Sequence, residues 1–369
     1  MKTPDDKTPA QVEAILEEAV NGGRRNNTMK THDQNLPKAC HGPAQSLGPD
    51  PITGLEVYHF PRKTVIAKSV EFEKKGLATH GVNVGFKCGN ACLYCSVASN
   101  IRCHVCFSEV GRTAFEKGFV VVDTGAVDRL RRDHIRLRPG SVVMLCTLSD
   151  GWSPQARKYG LGSGCLRYLL ENTPAEIRIL TKNAEVRDEF PLIARHRDRV
   201  MFGLSITGLP EHEDELRVVE PFASPIRERI AAMDEAHRLG LRTYAMFCPL
   251  FPGLFADQAQ VERLIRMAVA WGAEAIWSEI PNPRGPGLRD CVEAWRAAGH
   301  TRLADAVDRI RHVEGRSEHG VKLTRWLQAA ARKLGLMPRL RILAYRSSFT
   351  AGARSLINQD PGAVVWLGK

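Results

Sequence analysis

Three cysteines stand out for what their spacing can bind. Cys88, Cys92 and Cys95 follow the pattern C-x3-C-x2-C, and with Cys103 and Cys106 they put five of the chain's ten cysteines within nineteen residues. Cys40, Cys146, Cys165, Cys248 and Cys291 are scattered. Ten cysteines in 369 residues are too sparse for a disulfide scaffold, so the cluster reads as a metal site. Three thiolates hold three irons of a 4Fe-4S cluster and leave the fourth iron open to another ligand. Gly89 is expected to let the loop curl closely around such a cluster, and Tyr94 to face the ligand. A competing reading joins Cys92-x2-Cys95 and Cys103-x2-Cys106 as two knuckles of structural zinc. Only seven residues separate those pairs, short of the roughly 15 to 20 of common ribbons, and Cys88 is then left without a role.

The elements that must position this loop alternate regularly. Strand-like runs at 82–86, 141–146, 176–181, 200–206, 242–249 and 275–280 are separated by helical patterns, and no short hairpin signal joins them. That rhythm predicts parallel pairing through crossovers. Ser224 is expected to cap a helix with Pro225 at its first position, Ile226, Ile230, Met233 and Ala236 along one face, and Gly240 at its close. Asp257 is expected to cap the next, with Val261, Leu264, Ile265 and Ala268 against the sheet. The fold class is therefore α/β, a partial (β/α)6 barrel over 56–290 whose chemistry sits at the carboxyl ends of the strands. Residues 1–55 are expected to form a flexible N-terminal arm and 291–369 a mostly helical C-terminal extension, in which 340–345 is a late strand at one edge.

Composition sets the outer bounds. The chain is 43% hydrophobic and 25% charged, which excludes general disorder. No apolar run approaches the roughly 18 to 20 residues of a membrane span, and the polar N-terminus has no secretory core, so a cytoplasmic location without membrane partners is expected. A formal net charge of +11 permits a nucleic-acid partner without demonstrating one.

At this point the sequence resembles the radical S-adenosylmethionine (SAM) enzymes, and within them the spore photoproduct lyase-like group. The general likeness is the cysteine motif, with an aromatic before its third cysteine, following a strand of an alternating βα chain. The narrower likeness comes in order along the chain: Cys146-Thr147-Leu148-Ser149-Asp150, Leu180-Thr181-Lys182, Leu204-Ser205-Ile206, then Glu220-Pro221-Phe222-Ala223-Ser224-Pro225 with Arg229-Ile230. The resemblance spans roughly residues 62–285. It implies that SAM chelates the open iron through its amino and carboxylate groups and that one electron, from a donor such as flavodoxin or ferredoxin, cleaves it to a 5′-deoxyadenosyl radical that abstracts hydrogen from a substrate. It further implies Tyr94 beside the adenine, Ser149 and Asp150 near the methionyl ammonium, Lys182 near the carboxylate and Ser205 near the ribose or carboxylate. The plainer roles of a solvated Lys182, a capping Asp150 and a packed Ser205 stand beside these.

The resemblance also implies that Cys146 returns a hydrogen atom to the product radical. The spacing departs from the group here: Cys146 stands four residues before Asp150 rather than three, and a slip of one in a strand reverses the face unless a bulge absorbs it. The Cys103 and Cys106 pair, with His104 between, has no assigned role. The substrate is open, with DNA or RNA, peptide and protein all compatible with the resemblance. Arg129, Arg131, Arg132, Arg136 and Arg138 form one basic stretch, and Arg332, Lys333, Arg339, Arg341 and Arg346 another; each suits phosphate or is simply solvated. Trp152 and Trp277 either stack on a base or fill the barrel mouth. A rival from another class is a non-catalytic, zinc-dependent nucleic-acid-binding protein.

Overall fold

The computed structural model describes residues 44–97 and 118–368. Thirteen strands appear among them: β1 (Gln45–Pro49), β2 (Glu56–His59), β3 (Ile66–Lys68), β4 (His80–Val82), β5 (Gly85–Lys87), β6 (Phe119–Val122), β7 (Val142–Leu145), β8 (Glu176–Thr181), β9 (Val200–Leu204), β10 (Ala245–Phe247), β11 (Ile276–Glu279), β12 (Leu340–Tyr345) and β13 (Val364–Leu367). The α/β class expected from the alternation is present. β4, β7, β8 and β9 run parallel in that order, and β10, β11, β12 and β13 do the same. Parallel bridges from Phe202 to Thr243 and from Ser205 to Met246 join the two sets, giving eight parallel strands in sequence where six were expected.

Alternation along the strands sends every second side chain to one face. Met144, Met201, Tyr244, Met246, Trp277, Leu343 and Leu367 gather there in one buried cluster with Leu77 and Ala78. The other face carries Val143, Ile177, Ile179, Phe202, Phe247, Ile276 and Ile342, packed under the helices. Helix Gln258–Ala270 shows why: Asp257 accepts from the Gln260 amide at 2.9 Å, and Val261, Leu264, Ile265 and Ala268 are buried. Among the described residues no helix is long and apolar enough to cross a membrane.

Four expectations need correction. The run 82–86 is two strands, not one. Val82 ends β4 opposite Leu145, Asn83 interrupts the apolar sequence, and Gly85 begins β5, which pairs antiparallel with β6. A Cβ on Gly85 would stand 2.3 Å from the Val121 carbonyl oxygen, so this close crossing admits no side chain. The 44–55 part of the expected arm carries β1, which pairs with β2, while β2 pairs in turn with β6; residues 1–43 lie outside the described residues. The stretch 291–369 is mostly helical with 340–345 as a strand on the sheet, as expected, but that strand is not at the edge, because β13 pairs beyond β12. Ser224 does not cap the helix Ile226–Arg238: its hydroxyl accepts from the Ala184 amide at 2.8 Å and donates to Glu185 at 2.9 Å, tying that helix to the segment after β8.

Candidate active site

The cysteine loop leaves β5, which lies outside the eight-strand sheet, and is carried back over the carboxyl ends of β7, β8 and β9 by hydrogen bonds. Asn90 donates to Asp150 at 3.0 Å and accepts from Asn183 at 3.1 Å. The Leu93 amide donates to the Val219 carbonyl at 3.0 Å. Cys88 and Cys92 are half-buried and Cys95 is exposed. Gly89 does not supply the loop's turn: the left-handed residue is Ala91, at φ 51°. What Gly89 supplies is room, since a Cβ there would fall 1.7 Å from Gln155 Oε1.

Asp150 organises this end of the sheet. Its carboxylate accepts from the Trp152 amide at 2.9 Å, the Thr181 hydroxyl at 2.7 Å, the Lys182 amide at 2.9 Å and the Asn90 side chain. An ionised carboxylate offers about four acceptor sites, so Asp150 is fully committed. Ser149, beside it, is buried, and its hydroxyl has no partner. Gln155 Oε1 is a second buried oxygen without a partner.

A deeper network lies under Tyr94. Glu220 and Arg229 form an ion pair with both side chains about 1% exposed. Glu220 also accepts from the Tyr94 hydroxyl and, at 3.0 Å, from Thr207. Arg229 donates to the Ser224 carbonyl at 2.9 Å and the Ser205 carbonyl at 2.8 Å, fixing the backbone of Ser205 where β9 ends. Burial alone would raise the Glu220 carboxyl; Arg229, Lys182 and the Tyr94 hydroxyl together hold it below its ordinary range. The Tyr94 ring meets Phe251 edge-on at 5.4 Å, with the Lys182 ammonium 5.6 Å from its centroid.

Burial, then Asp150 and Cys95, push Cys88 up to about 11. Burial and Glu220 push Cys92 up against the pull of Lys182, and Cys88 and Cys95 add to the rise. Among the described residues no three His, Cys, Asp or Glu side chains converge on the point one metal ion would take. The orphaned Ser149 and Gln155 oxygens beside the loop suit a further polar ligand.

Cys146 follows the last residue of β7. Thr147 and Leu148 amides wrap onto Asn83 Oδ1 at 2.8 and 2.6 Å, and the thiol lies in the core between sheet and helices. Burial first, then Cys165, raises it well above an ordinary thiol. Trp152 is also in that core, whereas Trp277 fills the inner face and donates to the Lys75 carbonyl at 2.8 Å. The second basic stretch is largely spent on pairing: Arg332 meets Asp360, Lys333 meets Glu262 at 2.9 Å, and Arg339 donates to the Ala273 carbonyl at 3.0 Å. In the first, Arg129 is held by Asp123 and Arg131 by Asp128. Cys103, His104 and Cys106 lie outside the described residues.

Sequence reasoning passed over the inner rim of the other half. Cys248, Glu279 and Tyr345 each stand two residues beyond an inward apolar residue, Met246, Trp277 and Leu343, at the carboxyl ends of β10, β11 and β12. Lys75 closes this side, 3.0 Å from Glu71 and 3.9 Å from Glu279, with its ammonium 5.3 Å from the Tyr345 ring centroid. The period-two alternation that reveals these residues was present in the sequence.

No family model matches the chain. Its sequence is 24% identical over 215 residues to an uncharacterized protein of Acidianus two-tailed virus, an alignment covering 56% of this chain and 68% of that protein. It is 26% identical over 178 residues to an uncharacterized protein of Methanocaldococcus jannaschii, covering 48% and 62%. Among solved structures it is similar to spore photoproduct lyase complexed with dinucleoside spore photoproduct, with TM-score 0.46 and 16% identity over 65% of this chain and 66% of that one. It is similar also to a mutant of that lyase with bound AdoMet, with TM-score 0.42 and 16% identity over 59% of this chain and 61% of that one. The chain thus spans about three fifths to two thirds of the length of these proteins.

Proposed function

We propose that the chain is a radical SAM enzyme, with the parallel strands acting as an incomplete barrel and Cys88, Cys92 and Cys95 holding a 4Fe-4S cluster. The observation that carries this reading is the loop that bears Cys88, Cys92 and Cys95, tied over the carboxyl ends of the strands by Asn90 to Asp150 and Leu93 to Val219, beside an unpartnered buried hydroxyl at Ser149. When bound, the cluster and SAM supply an electron transfer that cleaves a carbon–sulfur bond and begins hydrogen abstraction.

The chain's own residues bind and orient. The Ser149 hydroxyl is free to accept or donate to the methionyl end of SAM, Lys182 offers its ammonium to a carboxylate, and Ser205 lines the adjoining strand end. Tyr94 packs beside the ligand, its ring fixed by Phe251 and its hydroxyl by Glu220. Asp150, with its acceptor sites filled, acts by positioning Lys182, Thr181 and Asn90 rather than by taking the ammonium itself. Cys146, packed in the core with Cys165, suits a structural thiol better than a hydrogen donor. The inward rim of Cys248, Glu279 and Tyr345 is assigned to the substrate. The net charge of +11 favours DNA or RNA, and an external carrier such as flavodoxin or ferredoxin supplies the electron.

Anaerobic reconstitution with iron, sulfide, SAM and dithionite tests the reading. The expected result is 5′-deoxyadenosine from the wild-type chain and none from Cys88→Ala, Cys92→Ala or Cys95→Ala. Cleavage of SAM by Cys92→Ala at the wild-type rate would overturn the ligand assignment.

A further inference from the structure

The cysteine loop is gripped at a second point, away from Asp150. Gln155, on the short helix Pro154–Lys158, is fully buried, and its Oε1 lies 1.7 Å from where a Cβ on Gly89 would stand. No hydrogen-bond donor reaches this oxygen. The contact is therefore steric: it leaves the oxygen's hydrogen-bonding capacity unused and sets the amide against the backbone between Cys88 and Asn90.

What holds the amide there comes from its other side. Gln155 Nε2 donates to the Thr53 hydroxyl at 3.1 Å, and that hydroxyl donates onward to Asp50 at 3.0 Å. With its proton spent on Asp50, the Thr53 oxygen can only accept from Gln155, which fixes which end of the amide faces Gly89. Asp50 is buried and accepts also from the Ile52 and Thr53 amides, at 3.1 and 2.9 Å, closing the turn between β1 and β2.

Topology puts this turn within reach. β2 runs parallel to β6 and β5 antiparallel to it, so β2 begins at the same end of their sheet as the one from which Cys88 leaves β5. The segment after β7 then holds the loop in two ways. Asp150 draws Asn90 in by a hydrogen bond at 3.0 Å, and Gln155 blocks the backbone one residue earlier. A bond and a wedge on adjacent residues leave the chain after Cys88 little freedom to shift.

We propose that Gln155, anchored by Thr53, is a positioning residue for the cysteine loop, so that the β1–β2 turn helps to set the place of Cys88. The proposal deepens the cofactor reading: the iron measurements below rest on that reading, and the thiol measurements do not.

The test reads the thiols first, before any iron is added. The full-length chain is alkylated with iodoacetamide, and mass spectrometry gives the rate at half-buried Cys88 relative to that at exposed Cys95. Gln155→Met keeps the bulk and removes the amide, while Thr53→Val keeps the shape and removes the anchor. In each the ratio is expected to rise at least about threefold, the scale of one lost hydrogen bond. Gln328→Met removes a different buried amide, which donates to the Asp360 and Gly362 carbonyls at 2.8 and 2.7 Å, and should leave the ratio unchanged. In the reconstituted chain Gly89→Ala is expected to lose its iron, and Gly89→Ala with Gln155→Ala to regain most of it, because the shorter side chain makes room for the added methyl. A wild-type ratio in Gln155→Met would overturn the proposal. An equal rise in Gln328→Met, or full iron retention in Gly89→Ala alone, would do the same. A wild-type chain that takes up no iron would contradict the cofactor reading instead, and the ratio at Cys88 would still decide this one.

Discussion

At the carboxyl ends of β7, β8 and β9, Asp150 accepts from four donors and Glu220 from three. At the end of β11, Glu279 has Lys75 3.9 Å away and the charge of Arg284 nearby, and no hydrogen bond to its carboxylate oxygens among the described residues. Burial pushes Glu279 above its ordinary range, Lys75 opposes that, and Glu71 adds to it. The contrast teaches a division of labour. Saturated carboxylates fix backbone and side chains and have nothing left for a ligand, so they suit the half that must hold a cofactor in one geometry. An unsaturated carboxylate on an inward rim is poorly solvated by the protein and gains from a hydrogen-bond donor brought by a substrate.

Breaking the saturated half should cost most. Arg229→Met leaves Glu220 buried without its partner, and a loss of about 3–5 kcal/mol is expected in urea unfolding. A loss below about 1 kcal/mol would show that the pair is not what fixes the end of β9.

A pH effect of similar size belongs to the side of the sheet that carries the open rim. His319 is buried, with Nε2 3.0 Å from the Leu250 carbonyl behind β10. Burial, with Lys322 opposing protonation further, lowers it to about 4, against the pull of the Leu250 carbonyl and Glu318. Between about pH 6.5 and 4 the unfolded chain binds the proton that the folded chain refuses, so stability is full above that window and falls as pH drops through it. The expected loss is up to about 3 kcal/mol, at 1.36 kcal/mol per unit. His319→Gln should flatten this part of the profile, and an unchanged profile would assign the acid sensitivity elsewhere.

The smallest effect is expected at the open rim. Glu279→Gln should shift stability by less than about 1 kcal/mol, because Lys75 keeps Glu71 at 3.0 Å. Substrate-independent SAM cleavage should persist in this variant. A loss as large as that of Arg229→Met would erase the distinction between the two halves.

Much of this arrangement was legible before the structure. The run 176–181 is β8 residue for residue, and Asp257 caps its helix through its own side chain, because both rest on local pattern. The split at Asn83 and Gly85 was not legible: the chain turns there to approach Val121, a contact 36 residues away from Gly85. β13 is four residues long, too short to separate from a buried loop by periodicity. Glu220 and Arg229 were visible as part of the resemblance, yet their pairing around Tyr94 depends on three segments meeting. Gly89 is expected to let the loop curl, whereas the left-handed residue is Ala91 and the glycine leaves room for Gln155, a contact between distant segments.

The most direct measurement is metal and sulfide content per chain after anaerobic purification, in the wild type, Cys92→Ala and Cys103→Ala. About four irons and four sulfides are expected in the wild type and in Cys103→Ala, with their loss in Cys92→Ala. Stoichiometric zinc without iron or sulfide, lost equally in both variants, would contradict the iron–sulfur site.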